Sequence, residues 1–167
     1  MEIIEAVSED QINQVRQLMR AFVSWHKDRH SDELALIDRY FDENTFAAEL
    51  ASLPGQYAPP PGRLFLALEE GQPAGCAALR ALDAKTCEMK RMFVYPQFHG
   101  KGIGRALAER LIHEARQIGY SCMRLDTGPK QFEAQTLYHS LGFKEIEPYY
   151  TVPEELRHWL LFMELSL

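Results

Sequence analysis

What this chain has little of narrows its class first. Its 167 residues include three cysteines, Cys76, Cys87 and Cys122, an odd number with no C-x-x-C pair. That spacing offers neither a disulfide framework nor a zinc site, so the thiols are expected to be reduced and partly buried. No apolar run approaches the ~20 residues that cross a bilayer. The first residues, Met1-Glu2-Ile3-Ile4-Glu5, are acidic and lack the charge pattern of a signal peptide. These absences predict a cytoplasmic protein with no membrane partner. A basic excess is missing too. Eighteen Lys and Arg against 24 Asp and Glu give a net charge of −6, the wrong sign for a nucleic-acid face. There is no internal repeat and no low-complexity tract. What remains is a 46% hydrophobic chain of single-domain length, read as one domain over 1–167, compatible with a monomer or a homodimer.

Periodicity supplies the elements. Glu2 to Val7 reads as a strand. Ser8-Glu9-Asp10-Gln11 is a capping box, and Ile12, Val15, Leu18, Met19, Phe22 and Val23 follow at helical spacing. A second helix is expected from Ser31 as its cap to Pro54-Gly55, with Leu34, Ile37, Phe41, Thr45 and Ala48 inward. After the stiff Pro59-Pro60-Pro61-Gly62 connector, Leu64–Leu68, Ala74–Leu82 and Thr86–Tyr95 read as an antiparallel meander. Ile103, Ala106, Leu107, Leu111, Ala115 and Ile118 mark a helix that Gly119 stops. Cys122–Asp126 reads as a strand and Ala134–Leu141 as a helix stopped by Gly142. Phe143–Tyr150 and Arg157–Leu165 are expected as the last strands. The order β-α-α-β-β-β-α-β-α-β-β predicts an α/β (α+β) fold. Its single mixed sheet is mostly antiparallel, of about seven strands, with one parallel pair and helices on both faces.

The most informative stretch runs from Lys90 to Arg105. An apolar strand stops at Pro96, and Gly100, Gly102 and Gly104 then open a helix. Uncovered N–H groups at such a helix start are suited to a phosphate. A Walker A loop is excluded, because the G-x-x-x-x-G-K-[ST] pattern is absent. A dinucleotide fingerprint would want glycine where Arg105 stands, although Asp126 ends the next strand about 20 residues on, as a ribose-binding acid would.

Gln97-Phe98-His99-Gly100-Lys101-Gly102 resembles the Q/R-x-x-G-x-G/A motif of the GNAT family of N-acetyltransferases. Met92-Phe93-Val94 before it, Ile103-Gly104-Arg105 after it, and Leu137-Tyr138-His139-Ser140-Leu141-Gly142-Phe143 are similar to the same family. The resemblance is specific from about Glu88 to Phe143 and loose over the first 60 residues or so, and the inferred element order is that of the family.

The resemblance implies acetyl-CoA as co-substrate, no metal, and direct attack by an amine on the thioester. It implies that amides from Gly100 through Lys101, Gly102, Ile103 and Gly104 to Arg105 cradle the pyrophosphate. Met92, Phe93 and Val94 would bind the pantetheine arm through free backbone groups, and Gln97, His99 and Gln131 would complete the cofactor site. Tyr138 would serve the departing thiolate. A reference phenol near ~10 and a thiol near ~8.5 make full proton transfer uphill by roughly 2 kcal/mol, so Tyr138 must be tuned or must act chiefly as a hydrogen-bond donor. Glu88 and Asp126 are the candidate bases. Trp25, His26, His30, Asp32, Tyr40, Tyr149 and Tyr150 are candidates to touch the acceptor. His26 and His30 otherwise read as a polar helix end. Asp38, Asp42 and Glu43 hint at a cationic acceptor, or form a solvated face. A CoA-binding sensor and a dinucleotide-dependent oxidoreductase remain as alternatives.

Overall fold

The computed structural model describes residues 1–167. Seven strands form one sheet: β1 Glu2–Glu5, β2 Arg63–Glu69, β3 Gln72–Ala81, β4 Thr86–Val94, β5 Cys122–Thr127, β6 Lys144–Ile146 and β7 Leu161–Ser166. Their spatial order is β1-β2-β3-β4-β5-β7-β6. Only β4 and β5 run parallel. The helices are α1 Glu9–Arg29, α2 Leu34–Tyr40, α3 Glu43–Ser52, α4 Ile103–Ile118, α5 Phe132–Ser140 and the single turn α6 Glu154–Arg157.

Local chemistry explains most boundaries. Ser8 Oγ accepts from the Gln11 amide at 3.2 Å while Gln11 Oε1 accepts from the Ser8 amide at 2.9 Å, so the capping box starts α1. Gly119, at φ 104°, ends α4 in the left-handed conformation. Four expectations are corrected. The second helix is broken in two, because the Asp42 carboxylate accepts from the Thr45 amide at 2.9 Å and starts a new helix there. Ser31 caps nothing: α2 begins after Glu33 with no side-chain cap. Leu34, Thr45 and Ala48 are exposed, and the inward residues are Ile37, Phe41 and Leu50. The sixth strand stops at Ile146 and the seventh begins at Leu161. Pro148 and Pro153, which cannot donate to a ladder, bracket a loop between them.

Two cores lie on opposite faces of the sheet. One joins Leu107, Leu111 and Ala115 of α4 to Phe65, Met89, Met123 and Met163. The other seats Val15, Leu18 and Met19 of α1 and Leu50 of α3 on Leu64, Leu66, Cys76 and Phe93. Cys76 and Cys87 are fully buried, their thiols directed at the carbonyls of Arg91 and Cys122. A third, smaller cluster packs Ile37 and Phe41 against Leu156, Trp159 and Phe162. One parallel pair in seven strands is not the doubly wound parallel sheet of a dinucleotide-binding domain.

Candidate active site

The site is created by two irregularities in β4. The first is a bulge. Cys76 pairs with Phe93 and Ala78 with Lys90, so Arg91 and Met92 together oppose Ala77. Arg91 adopts φ 56°, a left-handed conformation unusual for a non-glycine residue. An extra residue inverts the alternation of faces. Before the bulge Cys87 and Met89 face α4; after it Met92 and Val94 do, and Phe93 turns to α1. The Arg91 guanidinium holds the bulge in place. It donates to Glu49 at 2.8 and 3.2 Å and lies over the rings of Phe41 and Phe46.

The second irregularity is a parting of strands. Pairing of β4 with β5 ends after three residue pairs, Thr86–Cys122, Cys87–Met123 and Glu88–Arg124. From there β5 stays with β7 as far as Thr127, and β4 runs on beside β3 alone. The opening between them is a groove of about 290 Å³. Met92, Phe93 and Val94 form one wall, Gln131, Leu137 and Tyr138 the other, and Phe22 and Trp25 of α1 overhang it. His99, Gly100, Gly102, Ile103 and Gly104 close its end. Gly100 (φ 80°) and Gly102 (φ 78°) are left-handed, and a Cβ on either would meet nothing within 4 Å. Backbone conformation, not crowding, calls for glycine there. The turn aims the first amides of α4 into the groove, where the helix dipole favours an anion.

Three of the residues singled out in the sequence have side chains outside the groove. Lys101 reaches Glu69 at 3.2 Å, and Arg105 reaches Ser140 at 2.6 Å and Glu109 at 3.3 Å. Gln97 is exposed on the short 3₁₀ turn Pro96–Phe98. His99 donates to the Val94 carbonyl at 2.9 Å and so fixes the turn against the strand end.

Behind the groove lies a small chamber of about 50 Å³, room for a few atoms of substrate. It shares Phe22, Met92, Gln131 and Tyr138 with the groove. Both candidate bases line it. Glu88 is 1% exposed and committed: Arg80 donates to it at 2.7 Å, Tyr149 donates to its other oxygen, and Lys90 stands 3.7 Å away. Asp126 has no basic partner; it accepts from the hydroxyls of Tyr40 and, at 2.7 Å, Tyr150. Burial raises both phenols above their ordinary range, with the Asp126 charge adding to it. Burial first, and Asp126 second, also raise Tyr138. Tyr138 therefore keeps its proton near neutral pH.

The residues expected near the acceptor divide. His26, Tyr40 and Trp159 line the chamber, whereas Trp25 belongs to the groove. His26 and His30 are buried rather than a frayed polar end. The Gln131 amide nitrogen lies 2.9 Å from the His26 ring, and burial, with the charges of His30, Arg29 and Arg91, lowers His26 to about 3. Asp32 faces outward and pairs with Lys130 at 2.8 Å. Asp38 pairs with Lys27, Asp42 caps α3, and Glu43 is exposed, so none of these acids reaches the chamber. Reading the sequence did not single out Phe22, Lys90 or Arg91. Adjacent cations inside an otherwise apolar strand were the available sign for the last two.

The sequence pattern of the acetyltransferase (GNAT) family matches residues 19–143. The chain belongs to that family. An uncharacterised N-acetyltransferase of Schizosaccharomyces pombe is 40% identical over 107 residues, 63% of this chain and 66% of that one. Among solved structures, an acetyltransferase from Streptococcus agalactiae superposes with a TM-score of 0.75 at 24% identity, covering 99% of this GNAT chain and 98% of the other. A Salmonella typhimurium protein solved with its cofactor acetyl-CoA is 26% identical, with a TM-score of 0.60 over 99% of this chain and 93% of that one. This GNAT protein is therefore an acyltransferase by family. No helix in it is long and apolar enough to cross a membrane.

Proposed function

We propose that this protein is an acetyl-CoA-dependent N-acetyltransferase in which a primary amine attacks the thioester directly. One observation carries the reading. Tyr138 stands where the groove and the chamber meet, and Asp126 lines the chamber beyond it. A thioester carried along the groove would bring its carbonyl to that junction. The pyrophosphate would rest on the amides from Gly100 to Arg105, and the pantetheine arm beside Met92–Val94, whose unpaired strand edge can meet it with backbone hydrogen bonds. Gln131, on the opposite wall, faces the same arm. An N–H of that edge also serves the oxyanion that develops on the carbonyl.

The amine arrives as an ammonium and must lose one proton before its lone pair can attack. Asp126, which forms no ion pair, takes that role directly or through water; Glu88 is held by Arg80 and keeps Tyr149 in place. The N–C bond then forms and the C–S bond breaks. Sulfur leaves with the electron pair, stabilised by a hydrogen bond from Tyr138. The products are the amide, the thiol of coenzyme A and one proton.

The test is release of CoA thiol from acetyl-CoA over a panel of amines, with calorimetric titration of acetyl-CoA and of NAD. Tyr138→Phe is expected to lower turnover about tenfold to a hundredfold, the worth of a hydrogen bond to a charged group, with acetyl-CoA affinity unchanged. Binding of acetyl-CoA with no turnover on any amine would favour a sensor. Binding of NAD in its place would overturn the reading.

A further inference from the structure

A second cavity adjoins the chamber on the side of Tyr40, Lys90 and Arg91. It is a surface pocket of about 250 Å³ that shares these three residues with the chamber. Groove, chamber and pocket thus lie in series, each sharing lining residues with the next. The donor groove takes one end, which leaves the pocket as the way in for the acceptor.

The charge of that entrance is unusual for this chain. The molecule carries −6 overall. Yet four cations, Arg39, Arg80, Lys90 and Arg91, line the pocket, and no Asp or Glu is among its lining residues. Two of the four are spent, Arg80 on Glu88 at 2.7 Å and Arg91 on Glu49 at 2.8 Å. The other two donate no hydrogen bond to any carboxylate. Arg39 has no carboxylate within ion-pair distance, unlike its neighbour Asp38, which holds Lys27. Lys90 has a side chain only 15% exposed and makes no hydrogen bond; its nearest acid, Glu88, is 3.7 Å away and already engaged. A nearly buried ammonium without a hydrogen-bonding partner is costly. Burial accordingly holds Lys90 below the ordinary lysine range. An arriving anion would offset that cost.

We propose that the acceptor is a small zwitterion: an amine that also bears a carboxylate or phosphate, its anionic end read by Lys90 and Arg39 at the pocket and its ammonium directed to Asp126 in the chamber. Cations alone line the pocket, and the Asp126 carboxylate is reached only in the chamber, an order that matches a molecule with its two charges so arranged. A purely cationic amine would meet repulsion at the entrance. Tyr40 and Tyr150 mark the boundary, lining the pocket while their hydroxyls hold Asp126.

The inference rests on the acetyltransferase reading, and matched acceptors separate the two. CoA thiol release is measured for an amino acid, its neutral amide, its decarboxylated amine, and a phosphate-bearing amine of similar size. The expected result is a kcat/KM for one of the anionic members at least tenfold above the amide and the decarboxylated amine; whichever anionic member is preferred identifies the group. Equal or better use of the neutral or cationic members would overturn this inference and leave the acetyltransferase reading standing. No release from any member, or from a wider panel of simple amines, would overturn both. Arg39 is on the surface, so Arg39→Glu is expected to fold. It should raise KM for the anionic acceptor at least tenfold and collapse the ratio to the neutral amide, with acetyl-CoA affinity as the control for integrity. An unchanged ratio in Arg39→Glu and also in Lys90→Met would show that the pocket does not read the acceptor.

Discussion

His26 shows how one side chain links the site to stability. It is buried among Phe22, Phe41 and His30, with ring centroids 4.4 to 5.6 Å away, and its folded-state value is about 3. An unfolded imidazole titrates near ~6.5. On acidification the unfolded chain binds this proton first, so the contribution of neutral His26 is complete above ~6.5. It is lost as pH falls from there towards about 3, at up to about 1.4 kcal/mol per pH unit. His26→Gln keeps a partner for Gln131 and cannot titrate. Urea unfolding at pH 6.5, 5.5 and 4.5 should therefore show a shallower loss of stability in the variant than in the parent. Some of this residue scale was legible in advance: the family resemblance pointed to Tyr138, Asp126 and the glycines, and all of them line the groove or the chamber. His26 was not, because an i, i+4 histidine pair near a helix end looks alike whether solvent or Phe41 lies above it.

At the scale of elements, β4 matters most. Its bulge turns Phe93 towards α1 and Met92 and Val94 towards α4, and its holding point is the pair Arg91–Glu49, each side chain 11% exposed. Arg91→Met would leave Glu49 buried with only Tyr57 and Gln56 as partners. A loss of about 3 kcal/mol is expected in chemical unfolding, the lower end for breaking a buried pair by removing one partner. Adding Glu49→Gln should recover part of it. Sequence periodicity could not show this bulge, since a bulge is a relation between two strands and exists only once β3 sets the register. The break between α2 and α3 was missed for a different reason. Ile37 and Phe41 keep a helical period up to Asp42, and capping by Asp42 competes with continuing the helix. The short β6 reflects Tyr149 and Tyr150, whose hydroxyls are drawn to Glu88 and Asp126 and away from the ladder. By contrast, α1 and α4 could be read because their starts and stops are local: a capping box, and glycines at positive φ.

For the whole molecule, the parted strands make folding and cofactor binding one problem. The two halves of the sheet, β1 to β4 and β5 to β6, share a ladder of three pairs. A ligand lying in the groove adds contacts to both halves. Acetyl-CoA at a hundredfold excess over its dissociation constant should add about 2.7 kcal/mol, a rise of roughly 5–10 °C in melting temperature for a domain of this size. Differential scanning fluorimetry would show it. Hydrogen exchange should slow in β4 beyond Glu88 and at the start of α4 and leave β1 unaffected.

The buried cysteines carry a consequence of their own. Burial, before any other cause, pushes the Cys76 and Cys87 thiols up to about 12 and Cys122 to about 11. Near neutral pH fewer than about one sulfur in ten thousand would be ionised, and only the ionised form attacks a thioester or a disulfide. In the proposed reaction, which handles an activated acyl sulfur and releases a thiol at every cycle, sulfurs held as thiols would be poor nucleophiles towards both. Self-acylation and tethering to the spent carrier would both be slowed.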